Sequence, residues 1–183
     1  MWNLLTKRCY LRDYEEADRE GFVRINTDPV ARQHLDGPLS LSEAHDLFEA
    51  TVSETDPAQG VRLAIFDRKS NEYLGHLFFV PWEDQKDEME WGLLLKPEYW
   101  GRGLASEVGE AATHECFRRF GLQRMYATTG LEHTASVQVL KRLGFTLVGR
   151  CQDDAGFYGV FTLDQAMRLT PREALSLATA KAS

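Results

Sequence analysis

Hydrophobic positions change period several times along this chain, and each change marks an element. Arg8 to Arg12 alternates apolar and polar residues over a short stretch. Asp13 and Glu16 then form a D-x-x-E start that predicts a helix to about Asn26. Asp28-Pro29 breaks it, and Asp36-Gly37-Pro38 marks a loop before Ser40 and Glu43 repeat the capping signature. Leu41, Ala44, Leu47, Phe48 and Val52 recur at helical spacing until Asp56-Pro57. Val61 to Phe66 and Tyr73 to Val80 are rich in strand formers, and the polar run between them suits a hairpin turn. A third strand places Met89, Trp91, Leu93 and Leu95 on one face and Glu88, Glu90, Gly92 and Leu94 on the other.

From Leu104 the period becomes 3.6, with Val108, Ala111, Ala112, Cys116 and Phe120 on one face and Gly121 as the stop. A strand from Arg124 to Thr129 follows, then a short helix from Thr134 to Leu143 closed by Gly144. Strands near Phe145 to Arg150 and Phe157 to Met167 complete the pattern, leaving an Ala-rich tail over 169–183. This order predicts a mixed α/β (α+β) fold with a largely antiparallel sheet flanked by helices. With 183 residues, no repeat and no linker, one domain with its core at about 8–168 is expected.

The chemistry concentrates in Pro97-Glu98-Tyr99-Trp100-Gly101-Arg102-Gly103-Leu104-Ala105, between a strand and a helix. At such a junction backbone N–H groups and the positive helix end point outward, so an anion can be held without a dedicated side chain. Two glycines let the backbone approach a ligand, although a tight turn explains them equally well on local chemistry alone. No Lys-Ser/Thr follows for a Walker A loop, and no third glycine has dinucleotide spacing, which argues against ATP and NAD.

Taken with Glu90-x-Gly92 and Leu95-x-Pro97, this run resembles the RimJ/RimL-type branch of the GNAT N-acetyltransferases. Leu11-Arg12, Asp28-Pro29-Val30-Ala31 and Ala135-Ser136-Val137-x-Val139-Leu140-x-x-Leu143-Gly144-Phe145 extend the resemblance over about residues 8–165. Trp100 stands where the superfamily loop often has Arg or Gln, and His133 precedes the closing motif where Asn is common.

The resemblance implies the GNAT fold and acetyl-CoA as co-substrate, held where the strands Trp91 to Leu95 and Arg124 to Thr129 splay apart. Leu93, Leu94 and Leu95 would pair with the pantetheine, and Trp100, Gly101, Arg102, Gly103, Leu104, Ala105 and Ser106 would cradle the pyrophosphate. His133, Lys141 and Arg142 are further cofactor candidates.

Acetyl transfer to an amine needs a neutral nucleophile, an oxyanion donor and a proton for the departing thiolate. Glu90 is the first choice for base, by its match to an acidic position of that branch, with Glu88 and His76 behind it. His76, inside an apolar strand, reads first as a packed core residue. Ser136 matches the motif's serine and is the first choice for acid, although a serine at a helix start can simply cap; Tyr126 and Tyr158 are the alternatives. A main-chain N–H on Leu93 to Leu95 would serve the oxyanion.

The acceptor implied is a primary amine, either a protein N terminus or a small cationic molecule. Glu83, Asp84, Asp87 and Glu88 could attract such a cation or form a solvated loop. A formal charge of −7, from 28 acidic and 21 basic side chains, and the lack of a basic stripe argue against nucleic acid. Apolar runs are too short to span a bilayer, so a cytoplasmic protein is expected; a homodimer is compatible with the sequence. Cys9, Cys116 and Cys151 show neither disulfide nor metal spacing, and no metal is expected. The competing reading is a non-catalytic acyl-CoA-binding module that kept the cradle and lost the transfer chemistry.

Overall fold

The computed structural model describes residues 1–56, 59–82, 87–153 and 156–165. Glu83, Asp84, Met167 and the Ala-rich tail lie outside the described residues. Eight strands form one sheet: β1 Asn3–Leu5, β2 Cys9–Asp13, β3 Val61–Asp67, β4 Tyr73–Pro81, β5 Glu88–Leu95, β6 Arg124–Gly130, β7 Thr146–Asp153 and β8 Gly156–Asp164. Their spatial order is β1-β2-β3-β4-β5-β6-β8-β7, and every neighbouring pair is antiparallel except β5 with β6. The helices are α1 Arg19–Asn26, α2 Leu41–Ser53, α3 Leu104–Phe120 and α4 Thr134–Arg142.

Side-chain alternation along the strands gives the sheet two apolar faces, and each is covered by a helical layer. On one face Tyr14, Phe22 and Phe48 pack against Ala64 and Phe66, while Ile25 and Ala31 meet Leu94. On the other, Val108, Ala112 and Cys116 of α3 and Leu140 of α4 pack against Trp91, Leu95, Met125 and Phe161. The alternation read from β5 therefore holds, since Trp91 and Leu94 belong to opposite layers.

Capping follows the sequence at α2, where Glu43 N donates to Ser40 Oγ at 3.3 Å and Ser40 N donates to Glu43 Oε2 at 2.8 Å. Gly121 ends α3 with a φ of 61°, the left-handed geometry a glycine tolerates. The start of the first helix differs from the D-x-x-E reading. Asp13 ends β2 and accepts from Trp2 N at 2.7 Å, tying down a first strand that the pattern did not reveal. The capping pair is instead Glu15 and Asp18, whose carboxylate also takes two bonds from Arg12 at 2.6 and 2.9 Å. A tertiary partner claimed the carboxylate that local rules assigned to the cap.

Cys9 and Cys116 are buried and Cys151 is exposed, and all three are free. Among the described residues no helix is long and apolar enough to cross a membrane, and no cluster of three or more metal-ligating side chains occurs.

Candidate active site

The parallel pairing of β5 with β6 is short. It joins Glu88 to Arg124, Met89 to Met125 and Glu90 to Tyr126. Beyond Glu90, β5 continues to Leu95 paired only with β4, and β6 continues to Gly130 paired only with β8. The strands therefore fork, leaving one edge of Trp91 to Leu95 and one edge of Ala127 to Gly130 without a strand partner. An extended ligand can use the backbone groups left at such an edge. Leu94 and Leu95 are buried and Leu93 is half-buried.

Past the fork, a single helical turn Pro97–Tyr99 leads to the two glycines. Trp100 Nε1 donates to the Leu95 carbonyl at 2.8 Å, so Trp100 braces the loop against the strand it leaves. Gly101 and Gly103 have φ of 70° and 74°, a left-handed region costly for any residue with a Cβ. Gly103 is the residue before α3, and no side chain caps that end. The N–H groups of the first turn, Leu104 to Ser106, thus have no intrahelical acceptor and face outward with the positive end of a 17-residue helix. Arg8 pins the loop from outside by donating to the Arg102 carbonyl at 2.8 Å and to Glu107 Oε2 at 2.7 Å. Arg102 lies 5.1 Å over the Tyr99 ring, exposed and without a carboxylate partner among the described residues.

Two buried polar side-chain atoms lack a hydrogen-bond partner among the described residues: Ser106 Oγ and Trp91 Nε1. Ser106 sits in that first turn of α3, and Trp91 sits on β5 at the fork, facing α3. A buried hydroxyl or indole N–H left unpaired costs about 1–3 kcal/mol. The position of Ser106 in the first turn of α3 fits a polar cofactor such as CoA that would satisfy its hydroxyl, whereas the Trp91 indole is packed in the core beside Phe145.

Glu90 is the last residue of β5 paired with β6, so its side chain stands at the crotch of the fork. Thr128 Oγ1 donates to Glu90 Oε1 at 2.7 Å. The register places Glu90, Tyr126, Thr128 and Tyr158 on the sheet face covered by α1 and α2. Tyr126 stacks on Trp82 with ring centroids 4.3 Å apart. Ser136 is half-buried in the first turn of α4, which packs on the α3 face. Glu90 and Ser136 thus belong to elements on opposite faces of the sheet. The capping position of α4 belongs to His133, so Ser136 is not the cap.

His133 makes no side-chain cap bond. Its ring stacks on His34, from the connection between α1 and α2, at 3.7 Å between centroids. Burial, and then the neighbouring His34, push its pKa down. Lys141 and Arg142 are exposed in the last turn of α4, and Arg142 lines a groove with Glu110 and His114, in the middle of α3. His76 is buried, as the apolar strand implied. It stacks on Phe22, meets Tyr73 Oη only at 3.5 Å, and is held neutral by burial that pulls its pKa well below the usual histidine value. Of the acidic stretch, Glu88 stands 4.0 Å from Arg124.

Thr128, Ser106 as an orphan, His34 and Trp82 are features of this site that no sequence signal marks. Each depends on which strands and loops become neighbours.

Residues 8–146 match the family model described as an acetyltransferase (GNAT) domain. An uncharacterized N-acetyltransferase, YoaA of Bacillus subtilis, is 28% identical over 148 residues, covering 80% of this chain and 84% of its own. Among solved structures, a spermidine N-acetyltransferase from Vibrio cholerae in complex with CoA and spermine superposes with a TM-score of 0.78 at 17% identity, covering 88% of this chain and 98% of that one. RimL, a ribosomal-protein α-N-acetyltransferase in complex with coenzyme A, gives a TM-score of 0.77 at 19% identity, covering 89% and 98%.

Proposed function

The chain belongs to the GNAT acetyltransferase family, and on that premise we propose that it transfers an acetyl group from acetyl-CoA to a primary amine, as a member of the RimJ/RimL-type branch. The observation that carries this reading is the pairing of an open fork with an outward-facing helix start, with the Glu90 carboxylate at the crotch of the fork. Bound there, acetyl-CoA supplies the activated acetyl thioester. First-turn N–H groups of α3 and Ser106 Oγ hold the pyrophosphate, and the free edge of Leu93 to Leu95 pairs with the pantetheine amides.

Glu90 takes a proton from the incoming ammonium, directly or through water, while Thr128 holds one carboxylate oxygen and fixes its direction. A main-chain N–H on Leu93 to Leu95 donates to the developing oxyanion. Ser136, from the α4 side, donates its proton to the leaving thiolate and recovers one from the proton the new amide nitrogen gives up, so that CoA leaves as the thiol. Two of the similar proteins, the spermidine and the ribosomal-protein α-N-acetyltransferases, act on amines, and a third, 25% identical, is an L-methionine sulfoximine/L-methionine sulfone acetyltransferase; these support an amine acceptor here.

Calorimetric titration with CoA, followed by thiol release from acetyl-CoA across peptides, polyamines and amino acids, tests the proposal. CoA binding and amine-dependent thiol release are expected; failure to bind CoA sinks it. Stacked on His34, His133 takes the place of the motif's usual amide, and this favours one second reading, a module that binds CoA without transfer. Tight CoA binding with no thiol release from any amine would select that reading.

A further inference from the structure

Arg62, on β3, belongs to the same sheet face as Glu90. It is registered opposite Phe78 of β4, which is registered opposite Gly92 of β5, two residues from Glu90. With strands about 4.8 Å apart and a rise of about 3.4 Å per residue, the Arg62 and Glu90 Cα atoms are about 12 Å apart. The guanidinium does not stay over its own strand. Its carbon sits 4.8 Å above the Phe78 ring, and that ring lies over Gly92, so the charge is carried across the sheet toward β5.

Arg62 is half-buried, and burial is the main cause that lowers its pKa. A cation in that setting ordinarily has a carboxylate partner, because desolvating an unpaired charge is costly. Arg62 makes no hydrogen bond or ion pair to a carboxylate among the described residues. The ionisable groups that act on it are the phenols of Tyr14 and Tyr73 and a second cation, Arg32. Arg32 is held by neutral acceptors, the Gly37 carbonyl at 2.6 Å and Asn26 Oδ1 at 3.3 Å. Asp18, the buried carboxylate of this layer, is committed to Arg12 by two bonds. In a protein of net charge −7, Arg62 therefore has no acid assigned to it among the described residues, while the acid acting on Arg32 is Asp36, with which it forms no ion pair.

We infer that Arg62, supported by Arg32, is an oxyanion subsite of the acceptor pocket, and that the acceptor is a small amine which also carries a carboxylate or phosphate, amino-acid-like rather than polycationic. This rests on the acetyltransferase reading above and narrows its substrate. A planar guanidinium pairs in bidentate fashion with either oxyanion, and the ligand's own charge supplies the counter-ion that no described residue provides. Glu90 then meets the amine end while Arg62 meets the acidic end, which fixes which nitrogen is presented.

Calorimetric titration of free amino acids and their carboxamides into the CoA-saturated protein tests this, with Arg62→Gln and Arg32→Gln alongside. Amino acids are expected to bind at least about tenfold tighter than their amides. Arg62→Gln should bring that preference to within about twofold, and Arg32→Gln should weaken it, with CoA affinity unchanged in both. O-Phosphoethanolamine against ethanolamine distinguishes phosphate from carboxylate. Amides or spermidine binding as tightly as the amino acids, or a preference untouched by Arg62→Gln, would overturn the inference. If Arg62→Gln does not fold, the wild-type comparison and Arg32→Gln still decide. Thiol release on the same panel reports separately on the acetyltransferase reading: an oxyanion preference in binding without release from any amine would remove that reading and leave the subsite standing.

Discussion

Replacing Gly92 with alanine inserts a methyl group where the Phe78 ring already lies. A Cβ built at Gly92 falls 2.0 Å from Phe78 Cζ and 2.5 and 2.6 Å from the two Cε atoms, against an ordinary van der Waals separation of about 3.5–4.0 Å. The backbone of Gly92 is not left-handed, so the conflict is purely steric. To relieve it the ring must slide by more than an ångström, away from β5 and under the Arg62 guanidinium stacked on it. Overpacking of this kind costs about 1–3 kcal/mol, or a fall of roughly 2–12 °C in melting temperature for a chain of this size. Truncating Phe78 removes the obstacle. In a Phe78→Ala background, Gly92→Ala should become neutral or stabilising by about 0.5–1 kcal/mol, because alanine loses less backbone freedom in a strand than glycine. The double-mutant cycle should thus show a coupling of about 1.5–4 kcal/mol in thermal or denaturant unfolding. Acceptor kcat/KM should fall in the single variant, since the displaced ring carries Arg62. Gly92→Ala melting with the wild type, or costing the same with and without the Phe78 ring, would refute the packing argument.

Other expectations follow from the same geometry. Glu90→Gln should leave CoA affinity unchanged and lower kcat/KM about 10²–10⁴-fold for an amine of high pKa, with the deficit shrinking as pH rises and solution supplies neutral amine. A pH-independent deficit would assign Glu90 to positioning alone. Ser106→Ala removes an unpaired buried hydroxyl, so the ligand-free protein should gain up to about 1 kcal/mol while CoA binds more weakly; equal CoA affinity in calorimetry would sever that hydroxyl from the cofactor. His76 is neutral in the fold and its pKa lies well below the unfolded value near 6.5, so below that pH the unfolded chain binds a proton the native one refuses. Stability should therefore decline as pH falls below about 6.5, by up to about 1.4 kcal/mol per pH unit, and His76→Gln should flatten that slope in denaturant titrations. An unchanged slope would place the acid sensitivity elsewhere.

The order of elements and the position of the glycine loop before α3 were legible because they rest on local rules. Periods of 2 and 3.6 mark the strands and helices, and Ser40 with Glu43 and Gly121 set helix ends that the fold keeps. Gly101 and Gly103 announce left-handed backbone, and both adopt it. The alternation in β5 also separated Glu90 from Trp91 before any neighbour was known. Where local and tertiary demands competed, the sequence reading slipped: Asp13 suits a cap, yet its carboxylate goes to Trp2 N and orders an unforeseen first strand.

What only the tertiary structure decided is which groups meet and which are left without a partner. The fork exists because β6 stays paired with β8 along its whole length while its pairing with β5 stops after three residues, a choice made by strands about 35 residues apart. That choice brings Thr128 onto Glu90, and packing between distant segments sets His133 against His34. Among the described residues, Ser106 Oγ is left unpaired and Arg62 is left without an acid. A residue's own chemistry and its periodicity are written along the chain. Its partners are fixed by packing between distant segments, and an absent partner shows only once every neighbour is in place.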